Sequence, residues 1–326
     1  MNFTDHSPAP RVSLLAANSY DPEGLHSKLT QLLAPLGGMA AVVKPGDRVL
    51  LKPNLLTGAR PTKECTTRPE LVYAIAKQVI AVGGVPFLGD SPAFGTAFGV
   101  AKANGLAPYA QELGMKIVEF EAESYERSEG LPKLRLAREA LGADVVINIP
   151  KVKSHLQLTL TLGVKNLFGC VPGKMKAWWH MEAGKDLNRF ADMLIDTARA
   201  IAPQLTIVDG IIGHEGNGPS GGEPRYLGLL AASQDVFAVD AVLAEILGVK
   251  PENLPTLMAA RRQNLVAEYD QVQILGTAIA DLRVSDWQLP QELMPIDFGL
   301  PRIIRSTFKH LYIKFIKEPM SSYMAP

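Results

Sequence analysis

The chain has 326 residues, 47% of them apolar and 20% charged, enough for one large domain or two lobes around a sizeable core. Lys plus Arg equals Asp plus Glu at 33 each, so there is no global basic field, which argues against a general nucleic-acid binder. Two cysteines, Cys65 and Cys170, argue against a secreted disulfide scaffold and fall short of the roughly four thiolates of a cubane iron–sulfur cluster.

In chain order, the N-terminus lacks a basic stretch followed by an apolar one, so no signal peptide is expected. Residues 49–56 read as a buried strand entered through Pro45-Gly46-Asp47. Residues 69–82 place Leu71, Val72, Ile75, Val79 and Ile80 at helical spacing, and Gly83-Gly84 ends the run. Strand 85–89, a helical stretch over 98–113, and strands 116–120 and 145–149 follow. Later come helix 187–201, strands 205–208 and 226–231, helix 236–247 and strand 271–275. This rhythm predicts an α/β fold, a mostly parallel sheet with helices on both faces. One domain over 1–300 is expected, with room for two lobes dividing near 140–185, then a basic amphipathic helix and tail over 301–326. That segment has an apolar stripe of Ile304, Phe308, Leu311 and Phe315 beside Arg302, Arg305, Lys309, Lys314 and Lys317, which suits packing on the protein's own body or docking on a partner or an anionic membrane surface. No run approaches the roughly 18 apolar residues of a membrane span, so the expected location is the cytoplasm.

The most informative stretch is 145–181, which holds five lysines and two histidines and no Asp or Glu. Lys151, Lys153 and His155 leave a strand, and Thr161, Lys165 and Asn166 continue the run. Lys174, Lys176 and His180 complete it, with Trp178-Trp179 as an aromatic wall or core. Cations without a local counter-charge suit recognition of phosphate or carboxylate. Crowded lysines also lower one another's basicity and can prepare a general base. Other polar groups fall at strand ends, where ligands bind in such sheets. They are Lys52 with Asn54, Asp90 with Ser91, and Asp209. Thr67 is expected to cap the helix that opens at Pro69. The loop 213–222, GHEGNGPSGG, offers backbone amides and His214 to a ligand, but it has neither the phosphate-loop nor the dinucleotide spacing. No His-x-His pair accompanies His214, so no metal site is expected. Cys170 reads as buried rather than as a nucleophile.

Several of these motifs together resemble one family. They are Lys52-Pro-Asn54, Thr67-x-Pro69-Glu70, Gly89-Asp90-Ser91, Pro150-Lys-x-Lys153-x-His155, Thr161-x-Gly163-x-Lys165-Asn166-x-x-Gly169 and Asp209-Gly210. Over roughly 45–250 the chain resembles the family called domain of unknown function 362. The resemblance implies iron–sulfur association, because many relatives carry a ferredoxin-like Cys-x-x-Cys-x-x-Cys-x-x-x-Cys-Pro module. This chain lacks those cysteines, so no iron–sulfur cluster is expected within it, and any electrons would come from a ferredoxin-like or other protein partner.

The expectation is an enzyme that binds an anionic small molecule or a cofactor of unidentified kind. His155, Lys153 and Asp90 would do proton-transfer or externally supplied redox chemistry. Lys52, Asn54, Thr67, Ser91, Lys151, Thr161, Lys165, Asn166, Asp209 and His214 would hold the ligand. The alternative is a non-catalytic binding or assembly factor that docks through its C-terminal helix.

Overall fold

The computed structural model describes residues 9–125, 134–173, 176, 179, 183, 186–266 and 269–295. Its centre is a mixed sheet in which β1 is Arg11–Ala16, β2 Arg48–Pro53, β3 Val85–Gly89 and β4 Ile117–Val118. A separate hairpin of β5 (Ala122–Tyr125) and β6 (Leu134–Ala137) follows, then a turn of helix, α5 (Arg138–Leu141). The sheet then continues through β7 (Val145–Ile149), β8 (Lys151–His155), β9 (Thr159–Thr161), β10 (Leu205–Glu215), β11 (Glu223–Ser233) and β12 (Gln273–Gly276). The strand order is β12-β1-β11-β10-β7-β2-β3-β4, with β8 against β10 and β9 against β8. Strand β11 is antiparallel to both neighbours and β9 to β8, while the other pairs are parallel.

Strand alternation sorts the two faces. Val49 and Leu51 of β2 and Ile147 and Ile149 of β7 meet the core under α1 (Pro22–Leu33) and α2 (Pro69–Ala81). The short helices α3 (Ala97–Ala103) and α4 (Leu106–Glu112) pack on the same core. Leu50 and Val146 point the other way, toward Phe190, Leu194 and Ile195 of α7 (Leu187–Ile201). On that side Val208 and Leu229 meet Val239 and Leu243 of α8 (Val236–Ile246). The helix starts have local causes. Asp21 accepts the Gly24 amide ahead of Pro22, Asp186 accepts those of Asn188 and Arg189, and Asp235 those of Phe237 and Ala238.

Several sequence expectations are corrected in detail. The helical stretch over 98–113 is two helices, because Gly105 adopts φ 85° and Asn104 takes up the Leu106 amide. The strand expected over 116–120 is only Ile117–Val118. Lys151–His155, expected to leave a strand, forms one. Pro150 breaks the ladder after β7, and the chain re-enters the sheet as β8 beside β10. The strands expected at 205–208 and 226–231 each extend to eleven residues. The glycine-rich run between them closes their hairpin, with a cis Gly218-Pro219 bond.

Candidate functional site

Connections from β2 lead by α2 to β3 and on to β4, whereas those from β7 lead the opposite way, to β10. The sheet therefore reverses its winding between β2 and β7, where open α/β sheets form a crevice beyond the carboxyl ends of the strands. Lys52 of β2 and Asn148 of β7 are direct partners across this junction. A short turn of helix, α6 (Gly163–Asn166), closes over it. Asn166 donates to the Asn148 side chain at 2.8 Å and accepts from the Asn54 amide at 2.9 Å. Asn148 in turn donates to the Gly163 carbonyl. The three asparagines thus form a saturated amide chain across the strand ends.

Buried charges flank this chain in two groups of opposite character. On one side the Lys151 ammonium meets Glu64 at 2.8 Å, Asp209 at 3.2 Å and the Tyr20 hydroxyl at 3.1 Å. Asp209 also accepts from Tyr20 at 2.5 Å and from the Arg68 amide at 2.9 Å. Arg68 spans Glu64 and Glu70. Burial, and then Asp209, push the Tyr20 hydroxyl well above the ordinary tyrosine range, so it stays protonated. Two cations answer three carboxylates here, and each charged group has its partners.

On the other side cations are in excess. Lys52, fully buried, pairs with Asp90 at 2.9 Å and donates to the Pro53 carbonyl. Asp90 also accepts the amides of Leu55 and Ser91. Lys153, 1% exposed, has among the described residues only neutral acceptors, the Asn54 side chain and the Cys65 carbonyl, both at 2.8 Å. Lys176 donates to the Ser91 carbonyl, and the Ser91 hydroxyl accepts the Gly173 amide. Lys165 rests on the face of Phe168, 4.5 Å from its centroid. Burial lowers Lys153 and Lys165 to about 7, the second helped by Lys176, Lys153 and Lys52. Burial lowers Lys176 to about 8 against the pull of Asp90. Gly169 makes this closeness possible, because a Cβ there would lie 2.0 Å from an Asp90 oxygen and 2.5 Å from the Lys52 nitrogen.

The acid-free stretch therefore has counter-charges after all. They are Glu64 and Asp209, brought from other parts of the chain to Lys151, while Asp90 pairs with Lys52 outside the stretch. Lys52 and Lys151 are committed to them, while Lys153, Lys165 and Lys176 have none of their own among the described residues. Thr67 does not cap α2. Arg68 occupies that position, and Thr67 ties two strand ends by donating to the Ile149 carbonyl and accepting the Asn54 amide. His155 is half-buried at the end of β8, where its Nδ1 accepts the Gln157 amide. Thr161 and His214 are both in register with Lys153, on β9 and β10. The Thr161 hydroxyl and His214 Nδ1 are buried without a normal hydrogen-bond partner among the described residues. His214 Nε2 accepts the Gly222 amide. Burial, then Lys153, lower His214 to about 4, while a Lys63 backbone contact outside normal hydrogen-bond geometry pulls the other way. Cys170 is buried, and that burial raises its thiol to about 12, which leaves it a weak nucleophile. Lys174, Trp178, His180 and the helix read over 301–326 lie outside the described residues.

Sequence reasoning missed Tyr20, Glu64, Phe168 and Asp240. Asp240 accepts the Gly163 and Val164 amides at 2.7 and 3.0 Å and so fixes the turn that presents Lys165 and Asn166. A lone acid inside the apolar run VFAVDAVLA of residues 236–244 was the available signal. Tyr20 and Glu64 lie in irregular segments, where periodicity carries no information. Among the described residues no group of three or more His, Cys, Asp or Glu side chains could hold a metal ion, and no helix is long and apolar enough to cross a membrane.

Comparison with known proteins places this site in a family. The Thylakoid-associated protein sll1697 of Synechocystis sp. is 59% identical over 313 residues, covering 96% of this chain and 98% of that protein. The lactate racemase apoprotein from Thermoanaerobacterium thermosaccharolyticum is similar in structure, with a TM-score of 0.44 and 13% identity over 72% of this chain. The chain spans 57% of that protein's length. Residues 49–245, which contain the whole asparagine chain and every lysine of both charge groups, match the family described as Domain of unknown function (DUF362), and the chain belongs to that family.

Proposed function

We propose that the chain is an enzyme that binds an anionic small molecule at the carboxyl ends of β2, β3 and β7 and moves a proton on it with a lysine amine. The observation that carries this reading is the charge imbalance around Asp90. Lys52, Lys153, Lys165 and Lys176 gather about one carboxylate, and that carboxylate is already paired. An incoming phosphate or carboxylate would offset the burial, and then the repulsion, that hold Lys153, Lys165 and Lys176 partly neutral. A neutral amine beside fixed cations is also a usable base near neutral pH. Lys153 holds Asn54 in place, so the substitution that tests binding is at the less constrained Lys165. Calorimetry with inorganic phosphate should show binding with proton uptake, seen as heats that change with the ionisation enthalpy of the buffer. Lys165→Met should weaken that binding by about tenfold, the effect of losing one charged contact. Equal binding by the two proteins, or none by either, would refute the reading.

A second reading is supported by the 59%-identical relative, which is named for its association with thylakoids. Together with the basic, amphipathic sequence over 301–326, that favours peripheral contact with an anionic membrane surface. The full chain should float with vesicles containing anionic lipid and lose flotation when residues 301–326 are removed. Equal flotation of both forms would count against that segment as the anchor.

A further inference from the structure

We infer that Lys165 is a nucleophilic amine that forms an imine with a small anionic carbonyl compound held among Lys153, Lys176 and Ser91. The inference rests on the proposed anion site and assigns it a ligand class and a bond-forming atom.

The lysines around the strand ends differ in what occupies their nitrogens. Lys52 donates to Asp90 and the Pro53 carbonyl, and Lys151 to two carboxylates and a tyrosine hydroxyl. Lys153 donates to two neutral oxygens, and Lys176 to the Ser91 carbonyl. Lys165 donates no hydrogen bond to any described residue, and its amine lies over the Phe168 ring face. Its lone pair is therefore the one not surrounded by acceptors that hold a proton on the nitrogen. The residue also keeps some exposure, although its amine is packed around.

Its setting is rigid. Phe168, which supports the amine, packs against Trp179 with centroids 5.8 Å apart and against Phe190 at 5.6 Å. Asp240 fixes the backbone turn below. A desolvated lysine beside other cations is the arrangement that keeps an amine neutral and reactive toward a carbonyl carbon. The same neighbouring cations would hold the carboxylate or phosphate of the compound.

The chemistry balances without an external reagent. The Lys165 nitrogen attacks the carbonyl carbon and a C–N bond forms. The carbonyl oxygen takes up a proton, for which Lys176 is the nearby ammonium donor. The attacking nitrogen gives one of its two protons to the now neutral Lys176, which passes it to the hydroxyl, and that oxygen leaves as water. The nitrogen's remaining proton returns to Lys176 as the C=N bond is completed. Nothing is oxidised or reduced.

The test uses the full chain with glyoxylate and cyanoborohydride, which reduces an imine to a stable amine, followed by peptide mapping. The expected result is labelling of Lys165 roughly tenfold or more faster than of the other lysines. That label should disappear in Lys165→Arg and slow in Lys176→Met, both folded by circular dichroism. Label spread over the lysines with no excess at Lys165 would overturn the inference. Inorganic phosphate added as a competitor separates this claim from the one beneath it. Phosphate binding with no excess label at Lys165 leaves the anion site standing and removes the imine. Excess label at Lys165 that phosphate does not slow supports the nucleophile and removes the anion site.

Discussion

Lys151 and Lys153 are two residues apart on one strand, equally buried, and electrostatically unlike. Two carboxylates meet the first, while two neutral oxygens meet the second. A buried cation with no counter-ion gives up its proton more readily, so Lys153 falls to about 7, as does Lys165, and Lys176 falls to about 8. The sign of the consequence for stability is fixed. Between about 7 and the unfolded value of 10.5 the native state binds fewer of these protons than the unfolded chain does, so stability rises with pH in that window. Below about 7 the penalty is fully present. The raised thiols of Cys65 and Cys170 act oppositely once the unfolded thiols ionise near 9. Thermal unfolding should therefore show a melting temperature that climbs by a few degrees from pH 7 to pH 9, with a shallower climb in Lys165→Met. A flat or falling profile over that range in the unsubstituted protein would contradict the assigned shifts.

At the scale of the element, the site depends on a turn of only four residues, Gly163–Asn166, too short to be stable by itself. It persists because α8 delivers Asp240 to its first two amides, and because Gly163 leaves room. A Cβ at Gly163 would lie 2.8 Å from the Asp240 carboxylate. Burial raises Asp240 to about 7, opposed by those two amides. Asp240→Ala would leave two buried donors without an acceptor and should cost about 2–4 kcal/mol in urea unfolding, with weakened phosphate binding because Lys165 and Asn166 lose their support. Asp240→Asn should recover about half of the loss, since its one oxygen can still accept. Loss below about 1 kcal/mol for the alanine variant would show that the turn stands without Asp240. This dependence was not legible in the chain, since residues 163 and 240 are 77 positions apart. The helices over 69–81 and 187–201 were legible, because their own apolar spacing and flanking residues specify them.

For the whole molecule, the decisive feature is where the sheet reverses. The β/α rhythm of the chain was sufficient to predict an α/β fold with helices on both faces, since an apolar strand buried on both sides must be covered on both sides. The motifs Lys52-Pro-Asn54 and Gly89-Asp90-Ser91 could also be placed at strand ends, because proline and glycine punctuate them, whereas Lys151-x-Lys153 lies within β8. Strand order and charge pairing could not be read, for they are set by long-range contacts that local periodicity does not encode. Only the tertiary structure put β2 beside β7, joined Asn54, Asn148 and Asn166, and carried Glu64 and Asp209 to Lys151 but no carboxylate of the described residues to Lys153. By itself the sequence determined that Lys52 and Asp90 sit at the ends of strands, because chain-local steric and apolar patterns decide that, whereas Asp209, expected at a strand end, lies within β10 and Lys153 within β8. The tertiary structure decided which of those lysines keep a counter-charge, because a partner 58 or 87 residues away is chosen by the packing of the sheet.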